Sequence, residues 1–196
     1  MFRRNWKRAG LILFLLSLSL VSSFYLVSLP ERLSSQGSPL LLYRDGSVAH
    51  IFLAPDERWR TKVNLDNIDP QYIDALLAIE DSRFYQHPGF DPVSILRAFG
   101  QNISSGKIIS GASTLTMQLV RLVEPRPRTY RSKLIEIWRS MQLEFRFSKR
   151  EVLEHYLSFI PFGRNIEGLE AASLAYFGHL PNDLEAAQIS LLIAIP

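Results

Sequence analysis

Apolar side chains recur at helical spacing through most of the chain. The clearest series begins after Asp69, which can cap a helix, and Pro70, which suits the first helical position. Its apolar positions are Tyr72, Ile73, Leu76, Leu77 and Ile79. The same spacing predicts further helices over 92–103, from Ser113 or Thr114 to 123, and over 132–147, 152–159, 168–177 and 186–195. The pattern therefore indicates a mainly α-helical protein.

Local signals mark several ends of these predicted helices. Ser148 with Glu151 has the form of a capping box, and Asn182 with Glu185 has the same form before the last helix. Prolines at 125 and 127 end the helix that begins at 113 or 114. Upstream, two apolar runs at 40–43 and 48–53 flank Asp45-Gly46, a pair that favours tight turns. A short β-hairpin is therefore expected ahead of the helices.

The N-terminus combines four basic residues with a long uncharged run. Arg3, Arg4, Lys7 and Arg8 precede residues 9–30, which include about 20 predominantly apolar positions, enough to span a bilayer core. Positive charge before such a run predicts a cytoplasmic tail over 1–8 and a transmembrane signal-anchor over 9–30. The remainder would then lie on the outer face of the bacterial inner membrane. A cleaved signal peptide is the alternative.

Composition narrows the classes of protein and site. The chain has 196 residues, 47% of them hydrophobic, no cysteine and a net charge of +3. The length beyond residue 30 is sufficient for one domain with a sizeable core, and the lack of cysteine excludes disulfides and thiolate metal sites. The mild positive charge suits phosphate-bearing partners or an anionic membrane surface. No motif indicates nucleic-acid binding.

Glu80 interrupts the apolar series that follows Pro70. At 100° per residue it falls near the centre of the apolar stripe, between Leu77 and Phe84. A carboxylate in an apolar environment is costly unless it is paired or protonated, and such groups serve as general acids or bases near neutral pH. A plainer interpretation remains open, in which Glu80 ends the helix and pairs with Arg83 or His87.

Three further features of the sequence could take part in binding or catalysis. Five cations lie close together on either side of 129 and suit a phosphate or pyrophosphate, although a solvated or headgroup-facing surface would look the same: Arg121, Arg126, Arg128, Arg131 and Lys133. Glu136 lies one turn from Lys133 on the polar side of its predicted helix, where an ordinary surface glutamate is expected. His87 has two interpretations, as a turn hydrogen-bonder or as a catalytic group.

Five short motifs follow one another in a fixed order. They are Glu80-Asp81-x-x-Phe84-x-x-His87-x-Gly89-x-Asp91; Gly111-Ala112-Ser113-Thr114-Leu115-Thr116-Met117-Gln118-Leu119; Lys133-x-x-Glu136; Ser148-Lys149-x-x-Val152-Leu153-Glu154-x-Tyr156-Leu157; and Phe162-Gly163, Gly168, Ala171-Ala172 and Tyr176-Phe177-Gly178. Together they resemble the peptidoglycan glycosyltransferase domain of class A penicillin-binding proteins, glycosyltransferase family 51. Ala112 and Met117 resemble the 1C type most.

This resemblance implies a fold and a reaction. The expected fold is a lysozyme-like helical head with a smaller membrane-associated jaw near 96–109, preceded by the transmembrane helix and the hairpin. The expected domains are a linker and hairpin over 31–55 and a glycosyltransferase domain over 56–196, truncated at its C-terminus and without a transpeptidase domain. The implied substrates are lipid II and the growing glycan strand. The implied reaction forms β-1,4 links with inversion and releases polyprenyl pyrophosphate. Partners from the wall-synthesis machinery are also compatible with the resemblance.

The resemblance also implies roles for individual residues. Glu80 would be the general base, and Glu136 would be the second catalytic carboxylate, orienting the cations that stabilise the leaving pyrophosphate. The residues expected to bind substrate are Asp81, His87, Ser113, Thr114, Gln118, Arg121, Arg128 and Lys133. The family uses divalent ions variably, so Mg²⁺ or Mn²⁺ on Asp81 stays open, and no metal site is assigned.

Three positions depart from the family pattern. Met117 replaces a glutamine, Ser132 an arginine and Ser158 an asparagine, and each loses a polar group expected near the donor site. These changes, with the expected truncation, leave open an inactive remnant that binds lipid II or a protein partner. A third alternative is a lysozyme-like hydrolase. The basic cluster and the predicted anchor favour a lipid pyrophosphate over a neutral polymer, which counts against the hydrolase.

Overall fold

A computed structural model describes residues 2–46, 48–106 and 113–196. It divides the chain into two compact units, Met1–Pro30 and Glu31–Pro196. The first unit consists of one helix, α1 (Phe2–Leu26). Among the residues that the structure describes, no helix is both long and apolar enough to cross a membrane. The transmembrane signal-anchor predicted over 9–30 is therefore not confirmed.

The second unit is mainly helical, as the periodicity predicted. Its helices are α2 (Pro70–Glu80), α3 (Pro92–Ser105), α4 (Leu115–Val123), α5 (Tyr130–Arg146), α6 (Lys149–Phe159), α7 (Leu169–Phe177) and α8 (Ala186–Ala194). The Asp69 side chain accepts a hydrogen bond from the backbone N–H of Gln71, so it caps α2 as expected, with Pro70 in the first turn. Ser148 and Glu151 form the predicted capping box at the start of α6.

One predicted helix start and one predicted capping box differ from the structure. Helix α5 begins two residues earlier than expected because Thr129 caps it by accepting from the backbone N–H of Ser132. The capping box before α8 pairs Glu185 with Gln188 instead of Asn182 with Glu185. In both cases a neighbouring residue of suitable chemistry supplies the cap, and the sequence pattern alone does not distinguish the two frames.

Two small sheets accompany the helices. Strands β1 (Leu40–Leu42) and β2 (Val48–Ile51) form the predicted antiparallel hairpin, with Leu40 opposite Ile51. Strands β3 (Trp59–Arg60) and β4 (Ile166–Glu167) pair in parallel. The second pair was not predicted, because strands of two residues leave no periodic signal.

Helix α4 lies at the centre of the second unit and packs against both α5 and α6. Leu115, Met117, Leu119 and Val120 of α4 are almost completely buried, as are Leu153 and Leu157 of α6. This packing fixes the positions of α4 and α5, which carry Gln118, Arg121, Lys133 and Glu136 of the candidate site.

Helix α5 turns its polar side inward, contrary to the prediction. Its buried residues are Glu136, Ser140, Gln142 and Leu143. Leu134 belongs to the apolar series of this helix, opposite Glu136, for which periodicity predicts a core-facing position, and it is 70% exposed. Periodicity assumes that the apolar side of a helix faces the core, and here a polar cluster on the protein side takes that place.

The segment after residue 30 is part of the second unit and not a free linker. Arg32 donates to Glu167 at 2.6 Å and to the carbonyl oxygen of Leu122, at the C-terminal end of α4. Arg60 donates to the other Glu167 oxygen at 2.9 Å, and both guanidinium groups face the Phe159 ring. These contacts attach the start of the predicted 31–55 linker to β4 and α4, and its boundaries stay a prediction.

Candidate active site

Glu80 is exposed at the C-terminal end of α2, contrary to the prediction that it lies in an apolar stripe. Helix α2 buries Tyr72 and Leu76, while its last turn, including Ile79, projects from the fold. The carboxylate is held by a hydrogen bond from Gln118 Nε2 to Glu80 Oε2 at 2.9 Å. Glu80 therefore stands at the surface with one oxygen fixed by a neighbouring side chain.

Gln118 is itself held by Tyr156. The Tyr156 hydroxyl donates to Gln118 Oε1 at 3.2 Å, and the tyrosine side chain is buried in α6. Burial raises the pKa of Tyr156 well above its usual value, and the Glu80 carboxylate raises it further. The hydroxyl is therefore protonated at physiological pH.

Asp81 and His87 form a buried pair behind Glu80. His87 Nε2 lies 3.0 Å from both Asp81 oxygens, and one of those oxygens also accepts from the backbone N–H of Leu115 at 3.0 Å. His87 Nδ1 accepts from the backbone N–H of Gly89 at 3.3 Å. This geometry matches the plainer interpretation of His87 as a turn hydrogen-bonder. The substrate-binding roles expected for both residues stay predictions.

The residues present do not fit a metal on Asp81. Its two oxygens already accept from His87 and Leu115. Within the described ranges, no group of three or more histidine, cysteine, aspartate or glutamate side chains could hold a metal ion.

Thr114 caps α4 and joins it to the Asp81–Asp91 loop. Its hydroxyl donates to the Gly89 carbonyl at 2.6 Å and accepts from the backbone N–H of Met117 at 3.2 Å. Gly89 has a φ of +95°, and a Cβ there would lie 2.5 Å from the carbonyl oxygen of Ser140. Only glycine fits this close approach without strain, which explains the glycine of the first motif.

Arg83 also holds this loop. It donates to Asp91, which caps α3 by accepting from the backbone N–H groups of Val93 and Ser94. Burial raises the pKa of Asp91, but Ser94 and the Arg83 guanidinium overcome that effect and hold the pKa at about 2. Arg83 and Arg97 line the same cavity as Glu80, although no sequence motif predicted a substrate-binding role for either.

Glu136 lies at the centre of a second polar cluster. It is 7% exposed, and Lys133 Nζ lies 3.2 Å from its Oε2 while Arg121 Nε lies 3.8 Å from its Oε1. Lys133 also donates to Ser113 Oγ at 2.8 Å. The expectation from periodicity that Glu136 is a surface residue is wrong. The structure instead groups four residues that the resemblance placed in the site.

A cationic cavity of about 690 Å³ lies against this cluster. Its lining residues include Arg121, Arg126, Arg128, Lys133 and Glu136. Arg126 is paired with Glu124, whereas Arg128 is exposed and has no ion pair with a described residue. Several positive charges around an open cavity suit a phosphate-bearing group.

Ser113 connects the two regions. It lines the cavity that contains Glu80, Asp81 and Thr114, and it accepts from Lys133, which lines the cationic cavity. The Glu80 carboxylate, with one oxygen that accepts from no described residue, thus lies on one side of Ser113, and the cationic cavity lies on the other. Residues 107–112, which include the first part of the second motif, lie outside the described residues.

The three departures from the family pattern have different environments. Met117 is completely buried in the core, and Ser158 is buried and accepts from the backbone N–H of Val63 at 3.0 Å. Neither lines the cavity that contains Glu80 and Asp81 or the cationic cavity, and the expectation that both lie near the donor site stays a prediction. Ser132 does line the cationic cavity.

Comparison with known proteins agrees with this geometry. A family model described as Transglycosylase matches residues 45–196. Penicillin-binding protein 1C of Escherichia coli K12 is 41% identical over 157 residues, covering 80% of this chain and 20% of that protein. Penicillin-binding protein 1B of Haemophilus influenzae is 41% identical over 148 residues, covering 73% and 19%. Penicillin-binding protein 1A of Escherichia coli K12 is 39% identical over 141 residues, covering 71% and 17%.

The chain thus spans about a fifth of the length of the curated relatives it matches. The matched region contains all of the residues assembled around Glu80 and Glu136. The five motifs and the two polar clusters therefore lie within one region of known relationship, and the chain belongs to the transglycosylase family.

Proposed function

We propose that this chain is a peptidoglycan glycosyltransferase that polymerises lipid II into β-1,4-linked glycan strands. The observation that carries the proposal is the position of Ser113, which lines the Glu80 cavity and accepts from Lys133 of the cationic cavity. One continuous region thus offers a base at one end and an anion site at the other. A transfer from a sugar pyrophosphate to a sugar hydroxyl needs both.

Glu80 acts as the general base. Its exposed carboxylate takes the proton of the acceptor sugar's 4-hydroxyl as that oxygen attacks the anomeric carbon of the donor. The new C–O bond forms on the face opposite the bond to pyrophosphate, so the anomeric configuration inverts. The exposure of Glu80 matters because the base must reach a hydroxyl on a bulky substrate.

The cationic cavity stabilises the leaving group. As the anomeric C–O bond breaks, its electron pair stays with the polyprenyl pyrophosphate, and Lys133, Arg121 and Arg128 face the added negative charge. Glu136 does not touch the sugar in this scheme. Its carboxylate lies between Lys133 and Arg121 and orients both cations.

The lipid part of the substrate requires an apolar surface. Val93, Leu96 and Ile103 of α3 and Leu134 of α5 are large apolar side chains that are mostly exposed. We propose that α3 belongs to the membrane-associated jaw and that the chain works at the outer face of the inner membrane, anchored through 9–30. We also propose that the chain associates there with other wall-synthesis proteins.

One observation favours an alternative, a remnant that binds lipid II without polymerising it. Ser132 lines the cationic cavity at the position where the family carries arginine. The cavity therefore has one cation fewer to stabilise the leaving pyrophosphate. Ground-state binding through the remaining cations would survive such a loss better than catalysis would.

Polymerisation of labelled lipid II by the detergent-solubilised chain tests the proposal. We expect wild type to form glycan strands and Glu80→Gln to lose about 10²–10⁴-fold in rate, the usual contribution of a general base. Asp74→Asn is the matched control, because Asp74 is exposed on the same helix and lines neither cavity.

The outcomes separate the two functions. Activity that survives in Asp74→Asn and is lost in Glu80→Gln supports the transferase and the role of Glu80. A folded wild type that binds labelled lipid II and forms no product would instead identify the binding remnant. Equal activity in wild type and Glu80→Gln would remove Glu80 as the base.

A further inference from the structure

Tyr156 lies behind the proposed base and is linked to it by hydrogen bonds through Gln118. Its hydroxyl donates to Gln118 Oε1 at 3.2 Å, and Gln118 Nε2 donates to Glu80 Oε2 at 2.9 Å. Tyr156 is 3% exposed and is fixed in α6, whereas Glu80 is exposed at a helix end. The two hydrogen bonds therefore connect a rigid group to a side chain that would otherwise be free to change rotamer.

The chemistry of the amide makes this connection directional. A glutamine side chain has one accepting end and one donating end. The Tyr156 hydroxyl stays protonated because burial raises its pKa, so it can always donate to the oxygen of Gln118. If the amide were reversed, its oxygen would face the Glu80 carboxylate with no proton between them. Both contacts therefore favour the same orientation of the amide.

This orientation distinguishes the two oxygens of Glu80. Oε2 accepts from Gln118, while no described residue donates to Oε1. We propose that Tyr156 is a positioning residue for the base: through Gln118 it holds Glu80 Oε2 and leaves Oε1 to take the proton of the acceptor hydroxyl. The inference rests on the proposed transferase function and adds the residue that orients its base.

A base that is already fixed when the substrate binds should raise kcat. A proton acceptor that keeps its position does not have to be ordered during the reaction, and small misplacements of catalytic groups are costly. Because Tyr156 makes its contact through Gln118 and not with the sugar, its loss should lower kcat more than it changes KM.

Tyr156→Phe is the direct test because it removes only the hydroxyl and keeps the buried ring. We expect about a tenfold fall in kcat for lipid II polymerisation, with KM unchanged within about twofold. Tyr176→Phe is the matched control, since its hydroxyl donates to the Phe162 carbonyl oxygen and it lines neither cavity. Equal kcat in Tyr156→Phe and wild type would overturn the proposal.

A double-mutant cycle separates positioning from general support of the fold. Gln118→Ala removes the intermediary, so Tyr156→Phe should have no further effect on kcat in that background. Independent, additive losses from the two changes would mean that Tyr156 acts in some other way. Gln118 is half-buried, so this arm also remains informative if Tyr156→Phe folds poorly.

A readout without turnover keeps this inference distinct from the proposed function. We expect the side-chain amide of Gln118 to give a resolved pair of ¹⁵N-NMR resonances, identified by their loss in Gln118→Ala. They should shift or broaden in Tyr156→Phe and in Glu80→Gln, and stay in place in Tyr176→Phe. An inactive wild type with these shifts would overturn the transferase function and support the Tyr156–Gln118–Glu80 hydrogen bonds. An active wild type without these shifts would support the transferase function and overturn the positioning role of Tyr156.

Discussion

An isosteric change at Glu167 should lower the free energy of unfolding strongly. It is buried on β4 and accepts from Arg32 at 2.6 Å and from Arg60 at 2.9 Å. Glu167→Gln keeps the shape and removes the charge. Arg60 is 2% exposed and keeps Asp56 as its only other carboxylate partner among the described residues. The change therefore leaves a buried cation undercompensated.

The expected loss follows from these contacts. Removing one partner of a buried ion pair costs about 3–5 kcal/mol, and the remaining Asp56 contact and the partial exposure of Arg32 place this case near about 3 kcal/mol. For a domain of this size, that corresponds to a fall of about 6–12 °C in Tm. The free energy of unfolding would be measured by urea titration in detergent, followed by tryptophan fluorescence, to which Trp59 beside Arg60 contributes.

Asp66→Asn is the matched control for this measurement. Asp66 pairs with Arg150 at 2.9 Å, but the two side chains are 72% and 49% exposed, so no measurable change in stability is expected. An unchanged urea midpoint in Glu167→Gln would refute the view that the buried network holds the 31–38 segment against the end of α4. Equal losses in the free energy of unfolding in Glu167→Gln and Asp66→Asn would refute the view that burial makes the Glu167 ion pairs the stronger ones.

Two further predictions concern the loop after α2 and the cationic cavity. Asp91 has a depressed pKa of about 2, so its stabilising contribution is complete above the unfolded value of about 3.9 and is lost as the pH falls through about 2. Asp91→Asn should lower stability at neutral pH and flatten its decline between about pH 4 and 2, as measured by circular dichroism; an unchanged slope would contradict this. Ser132→Arg should raise kcat/KM for lipid II by about tenfold, the effect of one charge-assisted hydrogen bond to the leaving pyrophosphate. Ser158→Asn, at a buried departure, should give no such gain, and equal rates in both variants would argue against the anion site.

Local chemistry explains which parts of the fold the sequence could predict. Asp69-Pro70, the Ser148 capping box and the Asp45-Gly46 turn act within a few residues, and all three appear as expected. The β3–β4 pairing and the contact of Arg32 with Glu167 depend on residues more than a hundred positions apart. Periodicity holds no information on such contacts, so the attachment of the 31–38 segment to the head could not be predicted.

The candidate site shows the same division more sharply. The motif resemblance brought Ser113, Lys133, Arg121 and Glu136 into one group, and the structure assembles all four. No motif or pattern in the sequence pointed to Arg97, which lines the cavity from α3. The link between Tyr156 and Gln118 joins positions 38 residues apart through one hydroxyl.

The two carboxylates have environments opposite to those that periodicity predicted. Glu80 was expected among apolar side chains and is exposed, whereas Glu136 was expected at the surface and is buried between cations. Under the proposed chemistry both positions make physical sense. A base must reach the hydroxyl of a large substrate, so it projects from a helix end. A carboxylate that only orients Lys133 and Arg121 is most effective where water screens it least. Helix α5 therefore turns polar residues inward, and the rule that the apolar side faces the core fails at the element that holds the leaving-group cations.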